Sequence, residues 1–283
     1  MTARTPTWKL ALFYGLLILF ALFFIYPFFI QIATSFKSDA AATDNPLGLI
    51  PNPLDLSAWK RIFGIGGSAV PIMTWTQNSF LVAIVITAGR VFLDSLAGYA
   101  LSRLKFRGRG FLFATVLAVM SVPGVALLIP KFLMVKYLGI YDTYTAMILP
   151  LIVDAAGVFI MKQFFDTIPV SIEEAARIDG ASVFRTFWSV VLPMAKPALL
   201  TLTILSFQGS WNEFTHFLVT TQSPERKTLV TGLASLASGE LSSGTQYPLK
   251  LGAALLTTIP VAILFFAFQR HFTRGANEGG VKG

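Results

Sequence analysis

Residues 168–194 read IPVSIEEAARIDGASVFRTFWSVVLPM, a polar stretch set between long apolar segments. Pro169 can open a helix there, at a position where its missing N–H costs nothing. Ser171 and Glu174 have the S-x-x-E spacing of a capping box, which predicts that they satisfy two orphan amides at the helix start. Gly180 predicts the helix end, because glycine enters the left-handed conformation without steric cost. A second helix is predicted from about Ser182. Val183, Phe184, Phe187, Val190 and Val191 fall on one apolar stripe of it, and Leu192 and Pro193 close it. The predicted unit is a short helix, a turn and an amphipathic helix lying on a membrane surface rather than in it.

The composition around this stretch excludes a soluble domain. Of 283 residues 54% are hydrophobic and only 13% charged, against roughly 25% charged in ordinary domains. The mean hydropathy is +0.68. A net charge of +8 raises the question of nucleic acid, but the basic residues flank apolar segments instead of interleaving with a polar scaffold, so no nucleic-acid partner is expected. There is no cysteine, hence no disulfide framework, thiol chemistry or zinc–thiolate site. No metal site is expected either; a lone His216 is more often a packing residue than a ligand.

Six segments are long and apolar enough to cross a bilayer core of roughly 30 Å. They lie near 10–34, 78–102, 111–135, 146–164, 197–221 and 251–269, giving an all-α membrane protein with six transmembrane helices. The expected organisation is an N-terminal stretch 1–9, a membrane domain 10–269 with a polar loop at 166–195, and a tail 270–283. Arg4 and Lys9 before an apolar run suggest a secretion signal, but the run is uncharged from Leu10 through Phe36, longer than a signal core of roughly 7–15 residues. It reads as a retained span. Lys and Arg are commoner on the side that holds both termini, most clearly in the cluster Arg103, Lys105, Arg107 and Arg109, which places both termini in the cytosol. The polar stretch 168–194 then falls on the cytosolic side. Outside, loops 37–77 and 222–250 are expected, with a short interfacial helix over 56–63 anchored by Trp59.

Glu174-Ala175-Ala176, then Gly180, then Val190-x-Leu192-Pro193 match a family signature: E-A-A, three residues, G, nine residues, I-x-L-P, with valine for isoleucine as the single departure. On these residues the chain resembles the permease subunits of binding-protein-dependent ABC importers. Further fragments follow in the expected order. They are Asn78-Ser79, Gly98-Tyr99-Ala100-Leu101-Ser102-Arg103, Val122-Pro123, Ile129-Pro130, Trp211-Asn212-Glu213-Phe214, and Gln269-Arg270 with the terminal Val281-Lys282-Gly283. They are most similar to the carbohydrate branch and to its smaller permease, as in maltose-type systems.

The resemblance implies a type I importer permease fold with a cytosolic coupling helix between spans four and five, in the inner (cytoplasmic) cell membrane. It implies a second, different permease, two ATPase subunits that bind the ATP and Mg, and an extracytoplasmic solute-binding protein. Contact with an ATPase subunit is implied for Glu173, Glu174, Ala175, Ala176, Arg177, Asp179, Gly180, Leu192 and Pro193. This chain itself needs no cofactor, and it lacks the G-x-x-x-x-G-K-[ST] loop of an ATPase.

Charges at bilayer depth cost at least about 2.5–3.5 kcal/mol and need a reason. Arg90 and Asp94, four apart on one helix face, are expected to form an ion pair. Asp154, Gln208, Trp211, Asn212 and Glu213 supply the carboxylates, amides and aromatic face that bind sugars, and are the candidate substrate path; contacts between helices are the competing reading. Pro123, Pro130 and Pro260 interrupt apolar segments and serve either as hinges or as fixed kinks. Three other functions stay open: a permease of the same superfamily for a polyamine, phosphate or peptide; a proton-coupled secondary transporter using Asp154 and Glu213; and, far behind, a membrane enzyme, for which no H-E-x-x-H or G-x-S-x-G motif is found.

Overall fold

The structure is a computed structural model that describes residues 7–65, 70–238 and 246–279, with side chains through Phe268. Arg4 and the final Val281-Lys282-Gly283 lie outside the described residues, as do the side chains of Gln269 and Arg270. The regular structure of the described residues is helical, with no strand among them. In chain order the helices are α1 (Thr7–Ser35), α2 (Asp39–Asp44), α3 (Ser57–Ile62), α4 (Ile72–Arg103), α5 (Arg109–Met120), α6 (Leu128–Tyr137), α7 (Tyr144–Ile148) and α8 (Ala155–Thr167). They continue as α9 (Val170–Ile178), α10 (Val183–Thr186), α11 (Leu192–Met194), α12 (Lys196–Trp211), α13 (Thr215–Thr220), α14 (Leu229–Ser238) and α15 (Tyr247–Gly279).

Four stretches are long and apolar enough to cross a membrane: Thr7–Ser35, Ile72–Arg103, Tyr144–Thr167 and Tyr247–Phe268. Two pairs pass only as broken spans. Arg109–Met120 and Gly124–Tyr137 bend by 101°, and Val183–Met194 and Lys196–Trp211 by 82°.

The chain divides into two compact units. The first comprises residues up to Met73 and Leu233–Ile259. Here α1 is exposed along nearly all its length, and only Ala33, Thr34 and Ser35 at its end are buried. Near that end Gln31 donates to the Leu251 carbonyl at 3.3 Å. The buried Lys37 caps the end of α2 by donating to the Asn45 carbonyl at 2.8 Å. Trp59, expected at a membrane interface, stacks on Phe63 and packs beside Phe36, at centroid distances of 6.0 and 5.6 Å.

The second unit comprises Thr74–Gly232 and the chain from Pro260 onward. Its centre is the packing of α4 on α8, which needs two glycines. A Cβ on Gly98 would stand 2.8 Å from the Lys162 amide nitrogen, and one on Gly157 would stand 2.1 Å from an Asp94 carboxylate oxygen. At the other end of α4, Trp75 donates to the Pro224 carbonyl at 2.7 Å. Asn78 donates to the Glu225 and Lys227 carbonyls at 2.7 and 2.9 Å and accepts the Tyr144 hydroxyl at 2.7 Å. Ser79 accepts the Leu229 amide at 2.8 Å. Asn78-Ser79 thus holds the loop that follows α13.

The break expected at Pro123 is present, and helix continuity differs from the sequence reading at Pro130, at Pro260 and in the fourth and fifth segments. The third segment breaks at Pro123, which removes a donor and restricts the residue before it. Pro130 and Pro260 break nothing: the first lies in the first turn of α6, the second inside the unbroken α15. The fourth segment is interrupted over residues 149–154, where Pro150 sits in a 3-10 turn before Asp154 caps α8. The fifth leaves the helix at Asn212 and resumes at Thr215.

Candidate functional site

The stretch 168–194 is built from its turn outward. Helix α9 ends at Ile178, and the Gly180 amide donates to the Arg177 carbonyl while the Ala181 amide donates to that of Ala176, at 3.0 and 2.9 Å. These are the two bonds of a Schellman turn, and Gly180 takes the left-handed φ of 80° that the turn demands. Ser182 then caps the next helix, accepting the Arg185 amide at 3.3 Å.

The start of α9 departs from expectation. Pro169 occupies the cap position itself, so Ser171 lies inside the first turn and no capping box with Glu174 forms. The apolar stripe departs too. Phe187 and Val191 are buried with Thr186, whereas Val183 and Phe184 are exposed. Residues Phe187–Val191 form a π-helix, whose wider turn rotates the stripe away from a 3.6-residue period. Leu192 and Pro193 do not close the helix; it runs through Met194 to the bend before α12, with Leu192 packed on the core.

The two adjacent glutamates of α9 part company. Glu173 is 2% exposed, with one carboxylate oxygen 2.9 Å from Arg103 Nε and the other accepting the Tyr99 hydroxyl at 3.0 Å. The Arg103 Nε contact is close but off-axis, an ion pair rather than a directed hydrogen bond. Arg103 Nη2 also donates to the Phe165 and Ile168 carbonyls, at the end of α8 and just past it. Ser102 donates to Asp166 at 2.6 Å, and Lys162 pairs with the same carboxylate at 2.6 Å. Around this grip pack Tyr99, Phe165 and Phe187, with Tyr99 centroids 5.9 and 5.0 Å from the other two. Removing one partner of a buried pair of this kind costs about 3–5 kcal/mol, since the other charge is left uncompensated. Glu174, Ala175, Arg177, Asp179 and Gly180 face outward, Ala176 half so. Ile178 at 86% and Phe184 at 61% exposure add apolar area to that charged face.

Within the apolar segments, the expected Arg90–Asp94 ion pair is absent: no contact within 4 Å joins them. Each serves the break before α8 instead. Arg90 Nε donates to the Leu151 carbonyl at 2.7 Å, and Asp94 accepts the Asp154 amide at 3.1 Å. The i, i+4 spacing places a donor and an acceptor against the two backbone groups that the interruption frees.

Of the five expected path residues, Glu213 lines the cavity described below. Asp154 is spent as a cap, accepting the Gly157 amide at 3.2 Å. Trp211 is buried and stacked on Phe207 at 5.8 Å, so its face is closed to a ligand. Gln208 and Asn212 are exposed, and the Asn212 side chain donates to the Gln208 carbonyl at 3.0 Å. Glu213 accepts the His216 amide at 2.8 Å and lines a cavity of about 240 Å³ with Gly124, Val125, Leu128, Lys131, Thr215 and His216. Sequence reasoning missed Lys131 and Thr215; the paired breaks at Pro123 and Asn212 are the signal that brings them together. No group of three His, Cys, Asp or Glu among the described residues is placed to hold a metal.

Residues 94–278 match the model of the family described as "Binding-protein-dependent transport system inner membrane component". The chain belongs to this family of transport permeases. Among its relatives, the arabinooligosaccharide transport permease AraQ of Halalkalibacterium halodurans is 35% identical over 284 residues, covering 100% of this chain and 99% of that protein. The sn-glycerol-3-phosphate transport permease UgpE of Yersinia pestis is 31% identical, covering 92% and 93%. A subunit of a solved bacterial ABC transporter that imports the acidic polysaccharide alginate superposes with a TM-score of 0.81 at 26% identity, covering 96% of this chain and 99% of that one. The chain is therefore an all-α, multi-pass membrane permease with the ABC importer fold, working with ATPase and binding-protein partners.

Proposed function

We propose that this permease, with a second and different one, lines the import path of a sugar or oligosaccharide, driven by two ATPase subunits and supplied by one extracytoplasmic binding protein. It crosses the membrane six times, near the segments given above, with both termini in the cytosol. The basic residues Arg103 to Arg109 beside the E-A-A stretch support that orientation. The AraQ and UgpE relatives, named for arabinooligosaccharide and sn-glycerol 3-phosphate, and the alginate importer support the substrate class.

One observation carries the coupling assignment: α9 is gripped on its inner edge through Glu173 and presents Glu174, Ala175, Ala176, Arg177, Asp179 and Gly180 on the other. An ATPase subunit docked on the outer edge displaces α9 as a body when the ATPase dimer closes. Glu173 and Arg103 pass that displacement to α4 and α8, and Leu192 and Pro193 carry it toward the bend before α12. Ala175 and Ala176 keep the helix thin where a groove must approach it.

Reconstitution of the chain with its partners in proteoliposomes tests the reading. Uptake of a labelled arabinooligosaccharide is expected only with internal ATP and the external loaded binding protein. Uptake by this chain alone, without ATP, would make it a secondary transporter.

A further inference from the structure

The cavity between the two broken segments combines features that point beyond a gap in packing. The chain leaves its helix on both sides, after Met120 and after Trp211. Irregular backbone at membrane depth is tolerated where it is buried in protein or lines a water-filled cavity, and interrupted apolar helices are a pointer to transporter binding sites. At about 240 Å³ the cavity falls short of the roughly 300–1,000 Å³ of drug-sized sites and suits a single sugar ring.

Its lining is matched to hydroxyl groups. Lys131 and Glu213 share the cavity without an ion pair within 4 Å, so a donor and an acceptor stand apart, as two neighbouring hydroxyls require. His216 is 3% exposed, and its Nε2 lies 3.1 Å from the Ala146 carbonyl. A carbonyl can only accept, so Nε2 carries the hydrogen and the neutral ring keeps Nδ1 as an acceptor. Nδ1 makes no hydrogen bond within the protein and is itself closed off from the cavity, so His216 contributes wall and not a ligand contact. Val125 and Leu128 offer apolar area for the C–H face of a ring.

We propose that this cavity is a subsite for one ring of a neutral sugar, with Lys131 donating to one hydroxyl and Glu213 accepting from another. The proposal rests on the sugar-import reading and sharpens it. One positive and one negative side chain leave no net attraction for a phosphate or a uronate.

The chain has no cysteine, so Leu128→Cys on the cavity wall provides a single reporter in the assembled complex. Labelling by a small aqueous thiol reagent would be timed with a neutral arabinooligosaccharide, sn-glycerol 3-phosphate or an alginate oligosaccharide present. The neutral sugar is expected to slow labelling several-fold and the two anions to leave it unchanged. Adding Lys131→Met or Glu213→Gln should abolish the protection and raise the uptake KM several-fold, with ATP hydrolysis still answering the loaded binding protein. Absence of protection by the neutral sugar, equal protection by the anions, or protection retained in both variants would each overturn the subsite. ATP-dependent sugar uptake without protection would sink the subsite alone, whereas ATP-independent uptake would sink the importer reading and leave the protection result to stand by itself.

Discussion

The grip on α9 and the breaks within the apolar helices both bury charged side chains, and they use them in opposite ways. At the grip, charge meets charge: Arg103 and Glu173 neutralise each other and tie α4 to the adjacent pair α8 and α9. At the break before α8, charge meets backbone, with Arg90 and Asp94 each satisfying one peptide group. On the proposed coupling, the first arrangement would transmit a displacement, because moving one ion drags the other. The second fixes a shape, because its partners are the chain's own irregular turn.

The largest expected effect falls on the grip. Arg103→Met should lower stability by about 3–5 kcal/mol by stranding the buried Glu173 carboxylate. Glu174→Gln, one residue away but exposed, should stay within about 0.5 kcal/mol of wild type. Thermal unfolding of the complex in detergent reads both; equal losses would erase the distinction between the two glutamates. Restoring much of the lost stability with Arg103→Met/Glu173→Met would confirm that the cost is an uncompensated charge.

At the helix break, Asp94→Ala should cost about 1–3 kcal/mol by leaving the Asp154 amide unpaired. Exchanging the two residues, Arg90→Asp with Asp94→Arg, should not rescue transport, since each must face a backbone group of fixed polarity. An ion pair, by contrast, would survive the swap. Uptake by the exchanged variant decides between them.

The fold was legible in the sequence because bilayer thickness imposes apolar lengths that composition reveals directly. The Gly180 turn was equally legible, since one residue type suits its φ. The stripe after Ser182 was not, because a π-helical turn changes the period on which the stripe was read. Arg90 and Asp94 were misassigned for a related reason: helical spacing identifies which side chains share a face, whereas their partners are backbone groups of a break 60 residues away. Trp211 and Glu213 lie two apart in one short motif, yet the chain turns between them, burying the ring and opening the carboxylate to the cavity.

A smaller effect is expected outside the spans. Burial pushes the Asp142 carboxyl upward, but the Ser223 hydroxyl, the Gln222 and Ser223 amides and the nearby Arg226 outweigh it and hold it below the usual carboxylate range. A depressed folded value means that the stabilisation is complete above the unfolded value of about 3.9 and is lost as pH falls through the folded one. Asp142→Asn should therefore lower stability at neutral pH and flatten the acid limb of a stability–pH profile. An unchanged acid limb would remove Asp142 from the set of groups that hold the loop after α13.

The central claim is that the outward edge of α9, aimed by the Gly180 turn, couples this permease to its ATPase. Gly180→Val forces a β-branched residue into a left-handed conformation at a local cost of about 1–2 kcal/mol, and Glu174→Lys reverses a charge on the exposed edge. ATPase stoichiometry of the purified complex and its hydrolysis rate with the loaded binding protein test the claim most directly. Both variants are predicted to insert and pair with the second permease, yet to lose ATPase subunits or to retain them with hydrolysis unresponsive to the loaded binding protein. Wild-type stoichiometry and wild-type stimulation in both would contradict it.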